Sequence, residues 1–190
     1  MEFIESAGLM KTVTKIGRCY EKLVREYIVN ITDECSEGSD EFKKVYVRGK
    51  CIKFSPTTIN EYQGRNNEAE TEEVDLLKKV TEEITGGQIM HWPKKGLLST
   101  WSLSVKYAIL KRIGAANWAP TTHESGITPM LAKLIYLIGT KGNLNFGEYV
   151  FNLTMKYADS FAVKFPIAFP SLITDVILSQ QPDILHSGEI

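Results

Sequence analysis

The 190-residue chain is predicted to be a predominantly helical α+β domain with one β-hairpin near its N-terminal third, and three observations carry that expectation. Apolar residues recur in steps of three and four along most of the chain, as helices with one buried face require. One stretch, 42–54, instead sets β-branched and aromatic residues among lysines around Arg48-Gly49-Lys50. Two helix starts are spelled by a hydroxyl residue followed by proline, Ser55-Pro56 and Thr128-Pro129.

From Tyr20, the residues Leu23, Val24, Tyr27, Ile28 and Ile31 share one helical face. A polar, acidic loop with Gly38 follows over 32–41. The hairpin comes next, with Val45, Tyr46, Val47, Ile52 and Phe54 as strand formers and Gly49 where the turn needs a positive φ. Ser55 then offers an acceptor to the free amides of a short helix that should reach Tyr62 and pack on the hairpin through Ile59 and Tyr62. Residues 66–73 are acidic and poor in apolar side chains, which predicts a mobile connection.

Val74, Leu77, Val80 and Ile84 mark another helix, ended by Gly86-Gly87. The stretch from Leu97 to Trp118 has helical period, with Trp101, Val105, Ile109 and Ile113 in steps of four. Thr128-Pro129 opens a helix apolar nearly all round, which should sit centrally in the core and which Gly139 is expected to close. Phe146, Tyr149, Val150, Leu153, Tyr157 and Phe161 form one more apolar face, and Pro170 launches a last helix with Leu172, Ile173, Val176 and Ile177. One domain over residues 1–180 with a frayed tail over 181–190 is the resulting expectation.

Charge and composition exclude several classes. With 22 basic and 23 acidic residues the formal net charge is -1, so no global field draws in nucleic acid or an anionic membrane. Cys19, Cys35 and Cys51 are odd in number and lack metal-binding or redox spacing, which fits reduced thiols of an intracellular protein. Glu2 and Glu5 stand where a secretory signal needs positive charge, and the apolar run 130–138 is broken by Lys133 and too short to cross a bilayer. Neither nucleus nor cytoplasm is favoured. The triplets Asn30-Ile31-Thr32 and Asn152-Leu153-Thr154 fall on helix patterns and read as chance occurrences.

No catalytic constellation emerges. His91, His123 and His186 are far apart and fit no metal-ligand spacing; His123 lies in a polar loop, 121–125, where a site could be displayed. Neither a phosphate-binding glycine loop nor a nucleophile elbow is present, and the acidic residues lie on solvated faces. No cofactor, metal or small-molecule substrate is suggested. One cluster stands out: Lys43, Lys44, Arg48, Lys50 and Lys53, interleaved with Phe42, Tyr46 and Phe54 and free of intervening acids. Lys43, Lys44, Tyr46, Arg48, Lys50 and Lys53 are the candidate nucleic-acid contacts, since a basic ribbon with aromatics can follow phosphates and stack on bases. The competing reading is a half-buried hairpin whose lysines face water and guard a strand edge.

Seven blocks in order resemble the plant transposon-associated domain described as a putative plant transposon protein, found in retroelement-derived and envelope-like reading frames. They are FIESAGLMKTV at 3–13, CYEKLVREYIVNI at 19–31, VYVRGKCIKFSPTTIN at 45–60, NWAPTTHES at 117–125, LIYLI at 134–138, NLNFGEYV at 143–150 and the FP-x-LI segment at 169–173. The resemblance spans nearly the whole chain and implies origin in a mobile element, with no catalytic residues to carry over. Relatives tend to have an apolar residue where this chain has Gln63, before Gly64-Arg65. The leading expectation is a non-enzymatic domain acting by protein association or self-assembly through apolar surface on its helices. The runner-up is a nucleic-acid-binding module built on the hairpin.

Overall fold

A computed structural model of the chain describes residues 2–14, 17–31, 44–65, 77–94, 96–119, 125–159 and 167–186. In chain order its elements are α1 (Glu2–Ser6), α2 (Lys11–Thr14), α3 (Glu21–Asn30), β1 (Lys44–Val47), β2 (Lys50–Lys53), α4 (Pro56–Gln63), α5 (Leu77–Ile84), β3 (Leu98–Ser99), α6 (Val105–Asn117), β4 (Gly126–Ile127), α7 (Pro129–Thr140), α8 (Phe146–Asp159) and α9 (Pro170–Gln180), with short 3-10 turns at Thr100–Ser102 and Pro182–Ile184. The fold is thus α+β and predominantly helical, with the expected hairpin in β1 and β2. Two compact units divide the chain, Met1–Val13 with Glu68–Leu144, and Thr14–Asn67 with Asn145–Ile190.

In the first unit α7 is central. Leu131, Leu134, Ile135, Leu137 and Ile138 are all buried, and the helix packs against α6, α5 and α1. Thr128 caps it by accepting the Leu131 N–H at 3.3 Å. Its far end differs from expectation: Gly139 lies inside the helix, and the left-handed terminal residue is Lys141 with φ 57°. Gly139 is required for another reason, because a Cβ there would stand 2.5 Å from the ring of Tyr107 on α6. Helix α5 ends as expected, with Gly86 and Gly87 at φ 63° and 80°.

The stretch 97–118 is not one helix. Leu98 and Ser99 pair antiparallel with Ile127 and Gly126, a 3-10 turn follows, and α6 begins only at Val105. The face is also different. Tyr107, Leu110, Gly114 and Trp118 are buried, whereas Trp101, Val105 and Ile109 are 93%, 78% and 55% exposed. Close approach selects the buried side: a Cβ on Gly114 would meet Leu131 of α7 at 2.8 Å, so the helices touch where α6 has no side chain. Hydropathy cannot report a glycine contact. Trp118 is fully buried and donates its indole N–H to Thr12 at 2.8 Å, tying the N-terminal segment, in which Ile4 and Leu9 are also buried, to the end of α6.

In the second unit α3 buries Leu23, Val24, Tyr27 and Ile31, as its period predicts. Tyr27 meets Phe54 edge-on at 5.3 Å, and Phe54 meets Phe151 of α8 at 5.7 Å. Ser55 caps α4 by accepting the Thr58 N–H at 3.1 Å. The hairpin is not the chief partner of α4, contrary to expectation. That partner is α8, because Gly147 admits the Pro56 carbonyl where any Cβ would collide with it. Ile59 is fully buried, and the half-buried Tyr62 donates its hydroxyl to Asp175 of α9.

Phe169, just before α9, holds a left-handed backbone at φ 53°, unfavourable for a bulky residue. Its ring is set edge-on to Phe146 at 5.9 Å and to Tyr149 at 6.3 Å, and that packing offsets the strain. The tail also departs from expectation, since Pro182–Ile184 form an ordered turn with Ile184 buried. Residues 187–190, the proposed connection 66–73, Cys35, Lys43, His123 and Phe161 lie outside the described residues.

Candidate functional site

The register of the hairpin sorts the candidate basic residues. Lys44 pairs with Lys53, Val45 with Ile52, Tyr46 with Cys51 and Val47 with Lys50. Side chains alternate along a strand, so Val45, Val47 and Ile52 turn inward and are buried. Lys44, Tyr46, Cys51 and Lys53 share the other face, with Tyr46 49% exposed and Lys53 exposed. Lys50 is exposed too, but opposite Val47 at the turn, off that face.

Arg48 has a different task. It occupies the turn at φ 51° beside Gly49 at φ 71°, the paired positive angles that a tight hairpin turn demands. Its N–H donates to Glu26 Oε1 at 2.6 Å, and its guanidinium donates to the Ile184 carbonyl at 2.8 Å. With its side chain only 13% exposed, Arg48 locks the turn to α3 and to the C-terminal 3-10 turn. Both edges of the ribbon are covered as well. Asn30 donates to the Tyr46 carbonyl at 2.7 Å, and the Gln180 amide accepts from the Lys53 N–H and donates to its carbonyl, each at 2.9 Å.

In the first unit the corresponding surface is apolar: Trp101, Val105 and Ile109 stand four residues apart and project into solvent, with Arg112 exposed beyond them. Helical period picks out these three residues as one stripe, and the structure leaves that stripe in solvent. An open depression of about 310 Å³ lies elsewhere in this unit, lined by Lys79, Glu82, Glu83, Gly86, Gly87 and Tyr136. At its margin Glu83 accepts the Tyr107 hydroxyl at 2.9 Å. Lys106 donates to the Gly139 carbonyl at 3.2 Å and lies over the Tyr107 ring at 4.3 Å. Burial, reinforced by Glu83, pushes the Tyr107 phenol far above its ordinary range, so it stays protonated and ties α5 to α6.

Among the described residues no group of three His, Cys, Asp or Glu side chains could hold a metal ion. His91 and His186 are both exposed and belong to different units. Among the described residues no helix is long and apolar enough to cross a membrane. Asn30 and Asn152, from the two glycosylation triplets, sit inside α3 and α8.

A family model described as a putative plant retrotransposon-related domain matches residues 5–183. No curated protein and no solved structure matches the chain.

Proposed function

The chain belongs to the plant retrotransposon-related domain family, and from that premise we propose that it is a non-enzymatic, retroelement-derived domain that works by protein association. The observation that carries this reading is the exposed stripe of Trp101, Val105 and Ile109. A tryptophan left 93% in water is costly for a folded chain and is the residue most often found at the energetic centre of protein contacts. The chemistry elsewhere supports a scaffold. Tyr62 with Asp175, and Tyr107 with Glu83, are carboxylate–phenol pairs whose phenols are held protonated, which suits a fastening better than a base or nucleophile.

Area sets the expected strength. The three side chains offer on the order of 400 Å² per copy, hence about 800 Å² for a pair, below the roughly 1,200 Å² of stable interfaces. Self-association through this stripe alone is therefore weak and concentration-dependent. Sedimentation velocity over a wide concentration range tests it. A mass that climbs with concentration, and that falls back to monomer in Trp101→Ser with Ile109→Ser, supports association through the stripe. A monomer at every concentration, with no partner recovered by cross-linking, removes the reading.

A further inference from the structure

We propose that the solvent face of α6 is a self-complementary seam that pairs with the same face of a second copy, in antiparallel register, with Trp101 of each copy set against the partner's Arg112. This names the partner for the association reading above and rests on it. Within α6 the exposed residues are Val105, Ile109, Arg112 and Ala116. They follow one another in steps of four, three and four, which places them within about 60° of one another at roughly 100° per residue. A helix that borders water ordinarily turns charged and polar side chains outward, yet three of these four are apolar. Steps of four and three are instead the spacing by which one helix meets another along a seam. Trp101, 93% exposed in the 3-10 turn before α6, adds a large ring at the N-terminal end of the stripe.

Charge and size select the orientation. Arg112 is the one charged residue of these five, and no acidic residue occurs between Leu97 and Ala119. A parallel pair would set Arg112 against Arg112, placing like charges together. Reversing one copy about an axis between Val105 and Ile109 lays Val105 against the partner's Ile109. The same reversal brings Trp101 to the half of the partner's helix that carries Arg112 and the small Ala116. A guanidinium stacks on an indole face and is attracted by it, so the charge in the seam finds its complement on the same surface. The two arginines then lie about 15 Å apart along the helix, at 1.5 Å per residue, beyond the roughly 8 Å over which salt lets charges act. Lys106 is tied to Glu83 at 3.5 Å and to the Gly139 carbonyl at 3.2 Å and takes no part. Arg112 and Ala116 add area to the three apolar side chains and bring the pair nearer to the roughly 1,200 Å² of specific interfaces. The contact is isologous, so it closes at two copies.

Two measurements on the full chain test the pairing. In sedimentation velocity over a concentration series, Arg112→Gln should weaken the dimer about tenfold, because two symmetric stacking contacts are lost. A stripe that associates by apolar contact alone predicts the opposite sign, since removing a charge from the seam eases its desolvation. The second measurement is oxidative cross-linking in a chain whose Cys19, Cys35 and Cys51 are replaced by Ser. A mixture of Val105→Cys and Ile109→Cys chains should form the disulfide-linked dimer efficiently, and either preparation alone should form it poorly. An Arg112→Gln dimer as tight as wild type, or cross-linking in the separate preparations rather than in the mixture, overturns the antiparallel seam while association through the stripe stands. A chain that stays monomeric but is cross-linked through Trp101 and Ile109 to a different protein removes the second copy as occupant. A monomer with no partner removes the association reading as well.

Discussion

Asn60 on α4 accepts the N–H of Gly147 at 2.9 Å through Oδ1 and donates through Nδ2 to Asn145 Oδ1 at 2.8 Å, so a single buried amide joins α4 to the start of α8. Asn145 in turn accepts the Glu148 N–H at 3.1 Å and caps α8, which begins at Phe146. These residues come from two of the blocks that carry the family resemblance, 45–60 and 143–150.

Replacing Asn60 by Ala leaves the Gly147 N–H buried without its acceptor and frees the cap, at a cost of about 2–4 kcal/mol. Gly147→Ala forces a methyl into the Pro56 carbonyl and should cost at least as much. Urea unfolding reads both. Wild-type stability in either variant would show that α4 and α8 are not held this way.

Gln63 tests the opposite sign. It is 6% exposed, and its Oε1 finds no hydrogen-bond partner among the described residues. Gln63→Met keeps the volume and removes the orphaned oxygen, so it should stabilise by about 1 kcal/mol. A lower urea midpoint in the variant would mean that the amide is satisfied in solution.

Two of the three tryptophans, Trp101 and Trp118, separate surface from core. Trp118→Phe loses the bond to Thr12 and leaves a void, and should destabilise by about 2–4 kcal/mol. Trp101→Ser should change stability by less than about 0.5 kcal/mol. Thermal melts of both decide whether Trp118 is core and Trp101 is surface as described; a large loss in Trp101→Ser would place Trp101 in the core.

Stability should fall at alkaline pH through Tyr62. Burial first, and then the Asp175 carboxylate, push its phenol up to about 12. A raised native pKa means that the native state keeps a proton the unfolded chain releases. The contribution is thus complete below about pH 10, the ordinary phenol value, and is lost as pH rises toward 12. Asp175, raised chiefly by burial and opposed by the Tyr62 hydrogen bond, acts in the same direction at acid pH: its contribution is present below the ordinary carboxyl value and lost as pH rises through the raised one. Tyr62→Phe should flatten the alkaline limb and Asp175→Asn the acid limb in denaturant midpoints taken across pH. An unchanged alkaline limb in Tyr62→Phe would show that the phenol ionises alike in both states.

Much of the local structure was legible in the chain because local chemistry sets it. Ser55-Pro56 and Thr128-Pro129 start helices since each cap accepts an amide three residues on, and alternation in Val45, Val47 and Ile52 puts three residues inward because strand side chains alternate. Of the candidate contacts, Lys44, Tyr46 and Lys53 were found together on one face, while Lys50 stands apart and Lys43 lies outside the described residues. The two-residue ladder of β3 with β4 joins segments far apart in the chain and leaves no periodic trace. The one-turn helices α1 and α2 are likewise too short to show a period.

The sequence by itself determined where most longer helices lie, where the hairpin turns and which family the chain joins, since caps, periods and turn residues act over a few positions. Tertiary structure alone decided which side of α6 is buried, that Gly139 serves Tyr107 rather than a helix end, and that Arg48 braces the hairpin turn. Each of those depends on a partner distant in the chain, Leu131, Tyr107 or Ile184, and a close approach between distant residues has no expression in the spacing of either.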